Sequence, residues 1–338
     1  MDAPIPTTDV LVVGAGISGL VAAAELRRAG LRVLVLDKGR GFGGRLASRR
    51  IGDAAFDHGA QFLTAEGPRF AALLEPLVRD GTLVSWKDSE AVPNQPLRWR
   101  GEPSMSAVAK RLALGLDVRL ETSVSGLRRA GERWCVETAT GGPFTTDAVV
   151  LTQPLPQSLE LLRSAGCDVP AGLRPQLEAV DYDRCIAVLA VLEGPSQLPS
   201  DVGAMTPTGG PIAWIADNRT KGISRTPAVT IHATPGFSLE HWDDDRVEAG
   251  RRLLDAAAPW LGGGVREFQV HGWRFSRPRI WHPETCVRVG DAPPLILAGD
   301  AFGGPRAEDA ANSGWAAAAM LLQGRTGRHT ASGPTRPD

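Results

Sequence analysis

The chain has 338 residues, enough for about two domains of ordinary size with a substantial core. Its 43% hydrophobic and 22% charged content is that of a globular protein, and a net charge of -1 provides no global field to attract nucleic acid or an acidic membrane. Four scattered cysteines (Cys135, Cys167, Cys185, Cys286), with no CxxC spacing and no His-rich neighbour, indicate neither a metal site nor a disulfide framework.

In chain order, the apolar run 10–13 reads as a buried strand that leads into Gly14-Ala-Gly16-Ile-Ser-Gly19. An Ala/Leu/Arg-rich helix follows to Gly30, and a second apolar strand, 33–36, ends at Asp37. This is a dinucleotide-binding fingerprint in its proper strand–helix–strand setting. Gly14 makes the tight turn, Gly16 lets the backbone approach a pyrophosphate, and Gly19 lets the helix sit close to the strand. The helix N-terminus, with Ala15 and Ser18 in the same turn, offers N–H groups and partial positive charge to phosphate. Asp37 is placed to accept hydrogen bonds from a ribose diol. A second glycine turn, Gly43-Gly44-Arg45, follows the acid instead of the next helix, and Phe56-Asp-His-Gly-Ala-Gln61-Phe62 comes soon after.

Further along, residues 105–114 read as a helix, and 116–120, 123–127, 134–138 and 147–151 as strands, the last ending in Thr152-Gln-Pro154. Strands are also expected at 185–192, 212–216, 229–233 and 268–274, with a helix at 244–261 that starts from an acidic cap region. These segments suggest an antiparallel sheet. Near the end, the strand 295–298 runs into Gly299-Asp300, then a Gly/Pro loop, then a helix beginning near Ala310-Ala311. The tail 324–338 has almost no apolar residues and is expected to be disordered.

The Gly-Gly-Arg turn resembles the FAD-binding region of amine-oxidase-like flavoproteins. That resemblance implies non-covalent FAD, with Gly43, Gly44 and Arg45 along the diphosphate and the Gln61-Phe62 backbone beside the isoalloxazine. The Gly299-Asp300 segment resembles the closing strand of glutathione-reductase-type flavoproteins, which implies that Asp300 bonds a ribityl hydroxyl; a turn or cap residue is the alternative. The next helix would then point its N-terminus at the flavin pyrimidine. Lys38, Val124, Ala310 and Ala311 join the candidate cofactor contacts. Taken with Trp214-Ile-Ala-Asp-Asn218 and His271-Gly-Trp-Arg274, the set resembles the renalase branch of FAD-dependent oxidoreductases, over most of the chain from Asp9 to about 322.

The fold this implies is α/β: a Rossmann-type, glutathione-reductase-like FAD-binding domain with a second, mostly antiparallel α+β substrate domain. The expected boundaries are 1–69, 102–156 and 290–323 for the first, and 70–101 with 157–289 for the second. The resemblance implies oxidation of aberrant 2- or 6-dihydro isomers of NAD(P)H, with dioxygen as acceptor and hydrogen peroxide as product. Trp99, Met105, Trp214, Asn218 and His232 would then face the substrate. His232 is equally readable as a core residue, and His58 is better read as a satisfied structural histidine than as a proton relay. Two features depart from the family pattern: Glu308 and Asp309 precede the flavin-facing helix, and Glu102 stands in the substrate segment. Amine oxidation or desaturation on the same scaffold is the rival enzyme reading. It is disfavoured by a single tyrosine, Tyr182, and by the lack of lysine from Gly222 onward. A non-catalytic FAD-binding module is the rival of another class. No secretory leader pattern and no membrane-length apolar run is present, so the expected compartment is the cytoplasm.

Overall fold

The computed structural model describes residues 7–86, 97–167 and 169–330. Its contacts divide the chain into two compact units, 1–40 with 112–180 and 280–338, and 41–111 with 181–279.

The first unit is built on a mostly parallel sheet. Thr7–Val13 pairs in parallel with Val33–Leu36 on one side and with Phe144–Leu151 on the other. Asp117–Arg119 extends the sheet beyond Val33–Leu36, and Pro294–Leu297 extends it beyond Phe144–Leu151, both in parallel. Val287–Asp291 closes that edge in antiparallel fashion, and Val124–Ala130 with Arg133–Thr138 form a hairpin on the start of Phe144–Leu151. Central parallel strands are covered on both faces, so they read as continuous apolar runs rather than alternating ones; Val10 to Val12, Leu34 to Leu36 and Val149 to Leu151 are all essentially inaccessible. Helix Ile17–Arg28 packs along helix Ala307–Thr330 through small residues. A Cβ added at Gly314 would stand 2.2 Å from the Ser18 carbonyl, so only glycine allows this approach. The second helix takes in 324–330, where the sequence suggests the start of a disordered tail; the remainder, 331–338, lies outside the described residues.

The second unit carries a five-stranded sheet in the order Ala204–Met205, Ile212–Asp217, Ala228–Ala233, Asp181–Leu192, Val265–Ile280. The first four strands pair antiparallel, and the two faces of the sheet have separate tasks. Ile186, Val188, Ala190, Ile215, Val229 and Ile231 pack against Ala249, Leu253, Ala257 and Leu261 of helix Arg246–Leu261. That helix is capped by the Asp245 carboxylate, which accepts from the Val247 and Glu248 amides, so the sequence reading of an acidic start is correct to within a residue or two. On the opposite face, Leu189, Val191 and Ala228 receive Ile51, Ala54 and Phe56 from the hairpin Ser48–Ile51/Ala54–Asp57.

This last contact accounts for one of the differences between the compact units and the boundaries drawn on the sequence, the placing of 41–69. Segments 41–69 and 102–111 belong with the second unit, and 157–180 and 280–289 with the first. The hairpin has too few residues to bury its own apolar side, and the second unit's sheet supplies that surface. Among the described residues, no helix is long and apolar enough to cross a membrane.

Candidate functional site

The sequence-derived site residues form two groups, one in each unit. In the first unit, Gly14 has φ of +112°, and a Cβ there would approach Thr152 Oγ1 to 2.5 Å. A Cβ on Gly19 would stand 2.0 Å from the Gly14 carbonyl, which locks the turn against its helix. Gly16 differs: a Cβ there would meet nothing within 4 Å, so the space above its backbone is open. Helix Ile17–Arg28 starts at Gly16 with no side-chain cap and no acid in its first turn. Ser18 Oγ is buried with no protein partner. Free amides, an orphaned hydroxyl and a bare glycine face make a cradle suited to a diphosphate.

Asp37 stands at the end of the second strand, with one carboxylate oxygen accepting from the Ala15 amide and the other from the Gly39 amide, each at 2.6 Å. Lys38 Nζ reaches Gln157 Oε1 at 3.5 Å, and Val124 is half-buried at the start of its strand. Asp300 is nearly buried and follows Gly299, whose φ of +122° turns the chain and whose amide donates to Ser313 Oγ. Ala310 and Ala311 are buried in the first turns of the last helix. The two acids before them have local roles. Asp309 accepts from the Arg306 amide and pairs with its guanidinium, and Glu308 is buried in the first turn, where negative charge complements the helix dipole.

In the second unit, Gly43 and Gly44 both have left-handed backbone, at φ +107° and +54°. Arg45 Nη1 donates to the carbonyls of Phe275 and Ser276, and Phe62 stacks beneath the Arg98 guanidinium at 4.5 Å. Trp214 and His232 lie directly opposite each other on neighbouring strands, so the sheet register brings these two expected substrate-facing residues together. Trp214 also meets Phe62 and Trp86, with ring centroids 5.9 and 6.0 Å away, and its indole N–H is buried without a partner. Asn218 is fully buried; its amide N donates to Ala228 O and Thr230 Oγ1, and its Oδ1 has no partner. Trp99 is half-buried on a short strand, Met105 is fully buried with its sulfur accepting from the Gly101 amide, and Glu102 is bound to Arg100 at 2.5 Å.

The organising residue of this group is Asp57. Its carboxylate accepts from Ser48 Oγ (2.6 Å), the Met105 amide (2.9 Å) and Lys221 Nζ (2.8 Å). Both members of the Asp57–Lys221 pair are inaccessible. Lys221 also donates to Gln61 Oε1 at 3.3 Å and lies 5.0 Å over the Trp86 ring. Burial pulls the ammonium below its ordinary pKa, and the carboxylate beside it opposes that pull. Gln61 is held at its other end by donating to the carbonyls of Asp57 and Gly59. In the sequence Asp57 stands out only as part of the 56–62 motif, and Lys221 immediately precedes the lysine-free stretch that begins at Gly222. The rarity of lysine, four residues among 37 lysines and arginines, was the available signal.

Beside this pair lies a cluster of histidines. The His58 carbonyl accepts from both His232 Nε2 (3.1 Å) and Trp273 Nε1 (2.8 Å). The His58 ring stacks on Trp273 and meets His271 edge-on at 4.9 Å. Burial, then the neighbouring His271, Arg49 and His232, pull His58 down to about 3. Burial likewise brings His232 and His271 to about 4, with Lys221 adding to it at the first and Arg49 and Arg246 at the second. All three imidazoles are therefore neutral at pH 7.

Comparison with known proteins accords with this arrangement. Residues 12–77 match a model described as NAD(P)-binding Rossmann-like domain, and residues 95–322 match one described as flavin containing amine oxidoreductase. The chain belongs to the flavin-containing amine oxidoreductase family. Renalase from Mus musculus is 26% identical over 296 residues, 79% of this chain and 84% of that protein. A putative flavin-containing monoamine oxidase, AofH, from Mycobacterium tuberculosis is 38% identical over 94 residues, but these span only 20% of its length. Among solved structures, putrescine oxidase bound to putrescine aligns with a TM-score of 0.72 at 17% identity, covering 95% of this chain and all of that one. A putative protoporphyrinogen oxidase from Exiguobacterium sp. 255-15 aligns at 0.70 and 16% identity, covering 94% and 99%. Membership of this family makes the protein an FAD-dependent oxidoreductase. The glycine turn at 14–19 and the orphaned Ser18 hydroxyl fit the diphosphate of FAD, and when bound the flavin supplies a two-electron acceptor.

Proposed function

We propose that the substrate is a dihydronicotinamide dinucleotide carrying its extra hydride at ring position 2 or 6. The products would be NAD(P)+ and, with dioxygen as the final acceptor, hydrogen peroxide. A dihydropyridine becomes aromatic as it loses hydride, so the protein has to orient a flat ring and exclude water, and no strong base is required. The observation that carries this reading is the chemical character of the second unit's sheet face. Trp214 stands beside His232, the three nearby imidazoles are neutral, and the buried carboxylate Asp57 is consumed by Lys221. Such a face suits an uncharged ring better than an ammonium. The similarity to renalase across most of both chains supports the same choice. On this reading Trp214 and His232 contact the substrate ring, with Trp99, Met105 and the fully buried Asn218 shaping the surface behind it. On the same reading the cofactor contacts of the first unit are Gly14, Ala15, Gly16, Ser18, Gly19, Asp37, Lys38, Val124, Asp300, Ala310 and Ala311, and those of the second unit are Gly43, Gly44, Arg45, Gln61 and Phe62.

Anaerobic rapid mixing of the FAD-loaded protein with the 2-, 4- and 6-dihydro isomers tests the proposal. Fast bleaching of the flavin absorbance by the 2- or 6-isomer, and not by the ordinary 4-isomer, is the expected result. Bleaching by primary amines such as putrescine alone would transfer the protein to the amine oxidases. No bleaching by either class would leave an FAD-binding protein without this activity.

A further inference from the structure

We propose that His282 is a positioning residue for the loop that carries Asp300, and that through this loop it governs how tightly FAD is held. His282 is 1% exposed and grips the loop from both sides of its own peptide. Its amide donates to the Ala301 carbonyl at 2.7 Å, and its carbonyl accepts from the Gly303 amide at 2.9 Å. Phe302, fully buried between those two points, packs on the imidazole with centroids 5.6 Å apart. The loop's other end is fixed independently, because the Gly299 amide donates to Ser313 Oγ at 2.8 Å and Phe302 N donates back to the Gly299 carbonyl at 3.2 Å. Asp300 therefore sits between two anchors, and His282 forms the second.

The side chain determines where that anchor stands. His282 Nδ1 accepts from the Glu284 amide at 3.2 Å, which leaves the ring proton on Nε2, and Nε2–H donates to Gln176 Oε1 at 3.0 Å. Both ring nitrogens are thus committed. The imidazole ties the Asp300 loop to helix Arg174–Glu178, from an element that contributes none of the cofactor contacts read from the sequence. Fixing a ligand-binding carboxylate through the groups behind it is what makes a site preorganised.

The inference rests on the reading that Asp300 bonds FAD, and a double-mutant cycle separates the two. FAD affinity is measured by quenching of flavin fluorescence on the full chain freed of cofactor, for wild type, Asp300→Asn, His282→Ala and the double variant. Asp300→Asn is expected to weaken binding by about 10- to 100-fold, the scale of a lost hydrogen bond to a charged group. His282→Ala is expected to weaken it by about tenfold and to shift the visible absorbance of the bound flavin, while the double variant binds no more weakly than Asp300→Asn alone. Additive losses, or a His282→Ala protein with wild-type affinity, would overturn the proposal and leave the role of Asp300 standing. Unchanged affinity in Asp300→Asn would overturn both. Should His282→Ala fail to fold, Gln176→Ala removes only the side-chain tether; it must then weaken FAD binding, and wild-type affinity there would also refute the proposal.

Discussion

Asp57 and Lys221 show how much one pair of side chains can organise. The carboxylate reaches Ser48, Met105 and Lys221, the backbone carbonyl of the same residue accepts from Thr230 and Gln61, and Lys221 returns to Gln61 and Trp86. Removing either charge leaves its partner buried and uncompensated, which is costly; replacing both together is much less so. Lys221→Met and Asp57→Asn are each expected to destabilise the protein by about 3–5 kcal/mol, read from urea or guanidinium denaturation. The double variant should lose clearly less than the sum. Additive losses would mean that the two groups do not act as a pair.

At the scale of elements, the first unit depends on how closely helix can approach strand and helix can approach helix. Gly19 lies on the Gly14 carbonyl, and Gly314 of the last helix lies on the Ser18 carbonyl, so both neighbours of helix Ile17–Arg28 reach its backbone rather than its side chains. Ala22 and Ala23, and on the last helix Ala311, Ala317 and Ala318, fill the rest of this buried Ala-rich surface. A larger residue at Gly314 has to push the helices apart. Gly314→Val is expected to cost about 1–3 kcal/mol, the usual scale for overpacking a close-fitted contact, and to lower the denaturation midpoint accordingly. A midpoint equal to that of wild type would show that the two helices do not meet at this glycine.

For the whole molecule, the histidine cluster, buried at His58 and partly buried at His232 and His271, sets the response to acid. His58 is held to about 3, and His232 and His271 to about 4, when folded, whereas each titrates near 6.5 once the chain unfolds. Between those values the unfolded state binds more protons, so stability falls as pH falls. The contribution is complete above about pH 6.5 and drains away as pH drops toward about 4. Thermal unfolding followed at pH 7.5, 6 and 5 should show the midpoint decreasing steadily, and His271→Gln should flatten part of that slope. A profile level across this range would contradict the neutral cluster. Paired carboxylates such as Asp80, held down to about 2 by Thr82 and Arg111, contribute their losses only at still lower pH.

Local pattern by itself determined the strand–helix–strand start and the closing strand of the first unit. A glycine turn between two uninterrupted apolar runs has few physical solutions, and both strands, the helix between them and the Gly299-Asp300 return are found where the residues 10–37 and 295–300 predict them. Helix Arg246–Leu261 and the strands around 185–192, 212–216 and 229–233 were legible for the same reason, since 3.6- and 2-residue periodicities are properties of neighbouring residues. Tertiary structure alone decided the rest. The hairpin after Gly44 has no pattern that says which sheet will cover it, and it lies on the second unit because Leu189, Val191 and Ala228 offer the apolar surface it lacks. Asp57 and Lys221 are 164 residues apart, and the Trp214–His232 pairing is a matter of strand register. Contacts across such separations arise from the burial of whole faces, to which no single stretch of residues bears witness.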